Sequence, residues 1–184
     1  MQFRPFGTLS WKPSALGFGC MRLPVIDGNP AAIDETAARE MIEYAVAQGV
    51  NYLDTAYPYH QQHSEPFIGR MLQSGLAERV KIATKLPCWK VEQKQDFDRL
   101  LAEQLERLQS ERVDFYLLHA LKKDSWEKMR QLEVLDWLER VQSEGRIDQI
   151  GFSFHDDYAT FQEIVDAYQG WSFCQIQYNY MDLE

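Results

Sequence analysis

The sequence is poor in cysteine, in long apolar runs and in positive charge. Three isolated cysteines occur in 184 residues, Cys20, Cys88 and Cys174. No CxxC pair is present, which removes the usual knuckle for zinc or for an iron–sulfur cluster. An odd number of scattered thiols fits a reducing, cytoplasmic compartment, with the thiols free and largely buried. No stretch reaches the roughly 18 apolar residues of a membrane helix. The start, MQFRPFGTLSW, carries no apolar core of a secretory signal. Lysine and arginine number 19 against 28 aspartate and glutamate, a formal charge of −9. That balance argues against a phosphate backbone as a partner and leaves no case for nucleic acid. A G-x-G-x-x-G turn is missing too: the first strand-like run, LGFGCMRLP, has two glycines and no helix start behind them.

What is present is an ordinary globular composition, 45% hydrophobic and 13% aromatic, with 26% charged residues. It suffices for one core, and no linker or shift in composition divides residues 1–184 into more than a single domain. The first residues read as a β-hairpin, MQFRPF and LSWKPSALGFG about Gly7 and Thr8. Strand-like runs follow at 16–21, 50–54, 80–86, 113–119, 146–153 and 173–180. Helical segments alternate with them at 34–48, 64–75, 92–109, 125–144 and 157–169. Met41 and Ala45 mark the face of the first helix and Gly49 its stop. Met129, Leu132, Leu135 and Leu138 line the fourth, with Ser125 as a cap and Gly145 as a stop. Strands alternating with helices mean right-handed crossovers and a parallel sheet. An open doubly wound sheet and a (β/α)8 barrel both satisfy the pattern, and the missing glycine fingerprint favours the barrel. Such barrels run to about 250 residues. The expected fold is therefore α/β, an incomplete (β/α)8 TIM barrel of about six of eight strand–helix units, truncated at its C-terminus.

Polar residues interrupt the apolar strands at their ends. Asp54 ends the second strand, with Tyr59 five residues later; Lys85 ends the third and His119 the fourth. In a parallel barrel these ends share one face, the face where active sites are built. Alone, each has a plain structural reading: a hydrogen-bonded histidine, a packed tyrosine, a solvated lysine. Together they have one chemical use. A phenol has a pKa of about 10, and a neighbouring ammonium favours its phenolate. An aspartate that fixes the ammonium makes the tyrosine a general acid, and a histidine can polarise the substrate oxygen. These four supply no electrons, which points to a hydride donor in the form of a nicotinamide cofactor. His60 and His63, three apart near Pro58, lack the helical spacing that would favour a metal site, and none is assigned. Trp89, just past Lys85, is a candidate wall of the substrate pocket. Trp171, Tyr178 and Tyr180 read equally as pocket and as core.

The segments LGFGCMRLP, NYLDTAYPYH, IATKLP, VDFYLLHAL, GRIDQIGFSFHDD and FCQIQYNYMD resemble the aldo/keto reductase family over essentially the whole chain. The resemblance implies a barrel sealed by an N-terminal hairpin. The reaction it implies is reduction of an aldehyde or ketone by NADPH, with NADH not excluded. The family's Asp–Tyr–Lys–His set falls on Asp54, Tyr59, Lys85 and His119. Its cofactor contacts fall on the backbone of Gly19, Cys20 and Met21, on Asp54, and on Ser153 and Gln175 beside the nicotinamide carboxamide. Two departures stand out. Phe154 and His155 follow Ser153, where the family often has asparagine, and the common YGxSE is here YHQQHSE, with Glu65 retained. LLHALKKDSWEKM and GFSFHDD are similar to a bacterial and archaeal subgroup whose longer members carry a ferredoxin-like cysteine domain, absent from this sequence. Two expectations follow: an oxidoreductase acting on a small carbonyl substrate, or a non-catalytic fragment or regulatory subunit. Its open sheet edges would favour self-association.

Overall fold

A computed structural model describes residues 1–179 and 181. Six parallel strands form one sheet in sequence order: β1 (Phe18–Gly19), β2 (Tyr52–Asp54), β3 (Lys81–Leu86), β4 (Val113–Leu121), β5 (Ile147–Phe154) and β6 (Phe173–Ile176). Helices α1 (Glu35–Ala47), α2 (Ser64–Met71), α3 (Gln95–Leu108), α4 (Lys123–Gln131), α5 (Val134–Ser143) and α6 (Tyr158–Ala167) alternate with them. The sheet curls into an incomplete (β/α)8 barrel. The N-terminal hairpin is present as separate antiparallel bridges, Phe3 to Ser14 and Phe6 to Leu9.

Two apolar layers sandwich the sheet. The larger lies between strands and helices and includes Ile42, Phe67, Leu101, Tyr116, Leu118, Trp137 and Phe152. Burying each such side chain stabilises the fold by about 2 kcal/mol before entropy is counted. The smaller layer fills the barrel interior, where Ala83, Phe115 and Leu117 meet Phe6, Trp11, Tyr52 and Phe173. Phe6 and Trp11 of the hairpin pack on Phe115 at 6.0 and 5.5 Å between ring centroids, closing the floor.

Alternation along the strands then sorts the interior by height. Side chains two apart share a face, so Tyr52, Phe115 and Phe173 at the floor are followed by Asp54, Leu117 and Gln175 nearer the rim. Ala83 is likewise followed by Lys85, Leu117 by His119, and Gly151 by Ser153. The register aligns Asp54 with Ala83, Lys85 with Leu117 and Ser153 with Gln175. Apolar below and polar above is thus a consequence of period-two patterning.

Several elements differ from the sequence reading. On α1 the buried stripe is Ala38, Ile42 and Val46 rather than Met41 and Ala45, behind an Asp34 cap that accepts from the Ala37 N–H. The single helix expected over 125–144 is two, parted at Glu133, whose φ of 58° is left-handed. Trp126 and Met129 are buried on α4, and Val134, Trp137, Leu138 and Val141 on α5; on one unbroken helix these residues would spread over about 180°, wider than the narrower face that each segment buries by itself. Ser125 stands in the first turn of α4 and accepts from the Lys122 N–H. The last strand ends at Ile176 instead of 180, and Tyr178 is fully outside the core. Trp171 packs on Phe152 at 5.0 Å and donates to the Ile164 carbonyl, a core role. Tyr180 lies outside the described residues.

Candidate active site at the strand C-termini

The ends of β3 to β6 and the two loops after β1 and β2 converge on a cavity of about 390 Å³ lined by Met21, Arg22, Tyr59, Lys85, His119, Ser153, His155, Gln175, Ile176 and Gln177. Lys85 is 1% exposed, and its ammonium donates to Asp54 Oδ1 at 2.7 Å, the Thr55 carbonyl at 2.8 Å and the Tyr59 hydroxyl at 3.3 Å. Three oxygens therefore satisfy its three protons, the condition for keeping a charge out of water. Asp54 Oδ2 is enclosed without a partner. The Tyr59 and His119 rings meet edge to face, 6.1 Å apart.

His119 is electrostatically distinct. Burial, then the charges of Lys85 and His155, push its imidazole down to about 3, so it is neutral at ordinary pH. Its Nδ1 is enclosed with no partner. The Trp89 ring lies beside it, 5.2 Å between centroids and tilted by 55°, while remaining 54% exposed and outside the residues that line the cavity. Just beyond His119, Ala120 adopts φ of 53° where β4 bulges against β5, and its N–H donates to Ser153 Oγ at 2.7 Å. The Ser153 hydroxyl proton stays free to point elsewhere. Gln175 sits opposite Ser153 on β6. Of the β1 segment, Met21 lines the cavity, Gly19 is exposed, and Cys20 is wholly buried with its thiol raised above the ordinary range by burial and Asp54.

Two supporting networks were not anticipated. Behind β3, the buried Glu65 accepts from Thr84 Oγ1 and Gln104 Nε2, both at 2.6 Å, and pairs with Arg107 at 3.3 Å. Gln104 also donates to the Lys85 carbonyl at 3.0 Å and accepts from the Tyr116 hydroxyl at 2.7 Å. Burial pushes the Glu65 carboxyl up, while these bonds pull it back. The signal was a glutamine on the apolar face of α3, between Leu101 and Leu105.

The second network holds the Tyr59 turn. His60, Gln61 and Gln62 have φ of 50°, 51° and 76°, three consecutive left-handed residues without a glycine. Each such residue costs about 1–2 kcal/mol, so contacts must hold them. His60 Nε2 accepts from the Leu23 N–H at 2.9 Å and Nδ1 donates to the Pro30 carbonyl at 2.9 Å. Both ring nitrogens are engaged, so His60 offers nothing to a metal. Arg107 donates to Gln62 Oε1 at 2.8 Å.

A curled parallel sheet carries a buried lysine joined to an aspartate and a tyrosine at its C-terminal rim, on the scaffold of an incomplete (β/α)8 barrel. The sequence model of the Aldo/keto reductase family matches residues 15–184. The chain belongs to that family. It is 31% identical over 155 residues to "Probable aldo-keto reductase 1" of Glycine max, covering 80% of this chain and 43% of the relative. It is 28% identical over 158 residues to "L-galactose dehydrogenase" of Arabidopsis thaliana, covering 83% and 48%. Among solved structures, the holo form of the aldo-keto reductase AKR11C1 from Bacillus halodurans superposes with a TM-score of 0.79 at 29% identity, covering 97% of this chain and 58% of that one. The chain thus spans about half the length of the curated relatives it matches. Among the described residues no helix is long and apolar enough to cross a membrane.

Proposed function

We propose that this chain carries the catalytic rim of an NAD(P)H-dependent oxidoreductase that reduces the carbonyl of an aldehyde or ketone, with Tyr59 as the proton donor. The observation that carries the reading is the buried Lys85 ammonium bonded at once to Asp54, Thr55 and Tyr59. A positive charge held 3.3 Å from the phenol oxygen stabilises the negative charge left there when Tyr59 gives its proton to a forming alkoxide. Asp54 fixes the ammonium and offsets part of its burial cost. Neutral His119 carries one N–H, which orients the substrate oxygen without competing with Lys85 for charge.

The residues present fit a nicotinamide. The free Ser153 proton and the Gln175 amide match the acceptor and donor of a carboxamide, and the enclosed Asp54 Oδ2 lacks a donor. When bound, such a cofactor supplies the hydride. Gly19 and Met21 would edge it through backbone, with the wholly buried Cys20 anchoring the segment between them, and Trp89, beside His119, would stand at the margin of the substrate site. The preference for NADPH, and a cytoplasmic location, rest on family resemblance.

A second reading, a binding or regulatory subunit, keeps the same rim without turnover. Fluorescence titration with NADPH separates the two, applied to this chain and to a version continued by two more strand–helix units. The oxidoreductase reading expects weak or no binding by the short chain, and carbonyl-dependent oxidation of NADPH by the continued one. A continued chain that binds NADPH yet never oxidises it with any carbonyl would leave the regulatory reading.

A further inference from the structure

The geometry points to His60 as a positioning residue that bolts the Tyr59 turn to the neighbouring wall of the cavity, the segment that follows β1, an inference that rests on Tyr59 being the proton donor. Met21 and Arg22 form that wall. On their N-terminal side the Cys20 N–H donates to the Asp54 carbonyl at 2.8 Å, and the Cys20 carbonyl accepts from Ser64 Oγ at 3.1 Å. On their C-terminal side the Leu23 N–H donates to His60 Nε2 at 2.9 Å. The two wall residues are therefore bracketed by the same segment that carries Tyr59, and His60 is one of the brackets. The ring's other nitrogen reaches Pro30, seven residues further along the loop between β1 and α1.

The bonding fixes the ring's state. Nε2 accepts, so it carries no proton, and Nδ1 must be the N–H that donates to Pro30. Two anchor points on one rigid ring remove both its rotation and the freedom of the residue before it. They also account for the left-handed run at 60–62, which brings the ring back over the loop; nothing in that run has the freedom of glycine to adopt it unaided. Tyr59 itself is half-exposed; its backbone N–H donates to the Ala56 carbonyl at 3.1 Å and its hydroxyl bonds to Lys85, so the aim of its ring depends on the neighbour that is clamped.

Amide exchange and histidine NMR on the full 184-residue chain test this. Long-range nitrogen–proton spectra should show His60 with Nδ1 protonated and Nε2 bare. In His60→Phe the Leu23 amide should exchange at least about ten-fold faster, with Ile82 and Leu117 unchanged as controls for the fold. The ring signals of Tyr59 should move or broaden in the same variant. His60→Gln, which keeps an acceptor for the Leu23 N–H, should recover most of the Leu23 protection and serves if the phenylalanine variant does not fold. An Nε2-protonated ring, unchanged Leu23 exchange, or Tyr59 signals indifferent to His60 would each overturn the proposal. The proton-donor reading fails differently: Tyr59→Phe would keep carbonyl turnover, while the Leu23 and tautomer results stood.

Discussion

Replacing His119 by glutamine should change how stability depends on pH. The native imidazole is held down to about 3 by burial and by Lys85 and His155, against 6.5 for a free histidine. Between those values the unfolded chain binds a proton that the native chain refuses, so acidification favours unfolding and stability rises with pH. From about pH 7.5 to about pH 5 one such group removes about 2 kcal/mol, and this figure is insensitive to how far below 5 the native value lies. Urea unfolding at several pH values across that interval measures it. Wild type should lose about 2 kcal/mol more than His119→Gln over the interval, because glutamine cannot titrate. Parallel pH profiles for the two proteins would refute a neutral, largely buried His119. So would native-state NMR signals of His119 that titrate near 6.

Three further outcomes follow from the packing. Asp54→Leu leaves the Lys85 ammonium buried with a carbonyl and a phenol alone, and should cost about 3–5 kcal/mol in urea unfolding. Adding Lys85→Met should return most of that loss, since an apolar pair needs no counter-charge. Gly69→Ala would set a methyl group against the Arg107 carbonyl and 2.9 Å from the Leu108 carbonyl carbon, forcing α2 off α3 at a cost of about 1–3 kcal/mol. Equal stability of that variant would mean the crossing of the two helices is looser than described.

The strand order and the rim residues were legible because strands signal twice, by apolar runs and by the polar residue that ends them. Asp54, Lys85 and His119 each break a run of buried neighbours, and parallel order brings such breaks to one rim. Helix phase was less legible. Met41 and Ala45 are apolar and correctly spaced, yet one residue off the buried stripe, because the neighbouring stripe of Ala38, Ile42 and Val46 is apolar too and only tertiary packing chooses. Leu132 and Leu135 bridge α4 and α5 in sequence, which hid the break at Glu133. His60 left no periodic trace, since a loop has no period. Its role is decided by two backbone groups, at Leu23 and Pro30, that composition cannot reveal.

The central claim is that Asp54, Tyr59, Lys85 and His119 act as one proton-delivering unit, and turnover of Tyr59→Phe in the chain continued to eight strand–helix units tests it most directly. With cofactor affinity measured in parallel, carbonyl reduction should fall about 10²–10⁴-fold while the dissociation constant for NADPH stays within a factor of about two. A phenylalanine variant that reduces carbonyls within a few-fold of wild type would contradict the account.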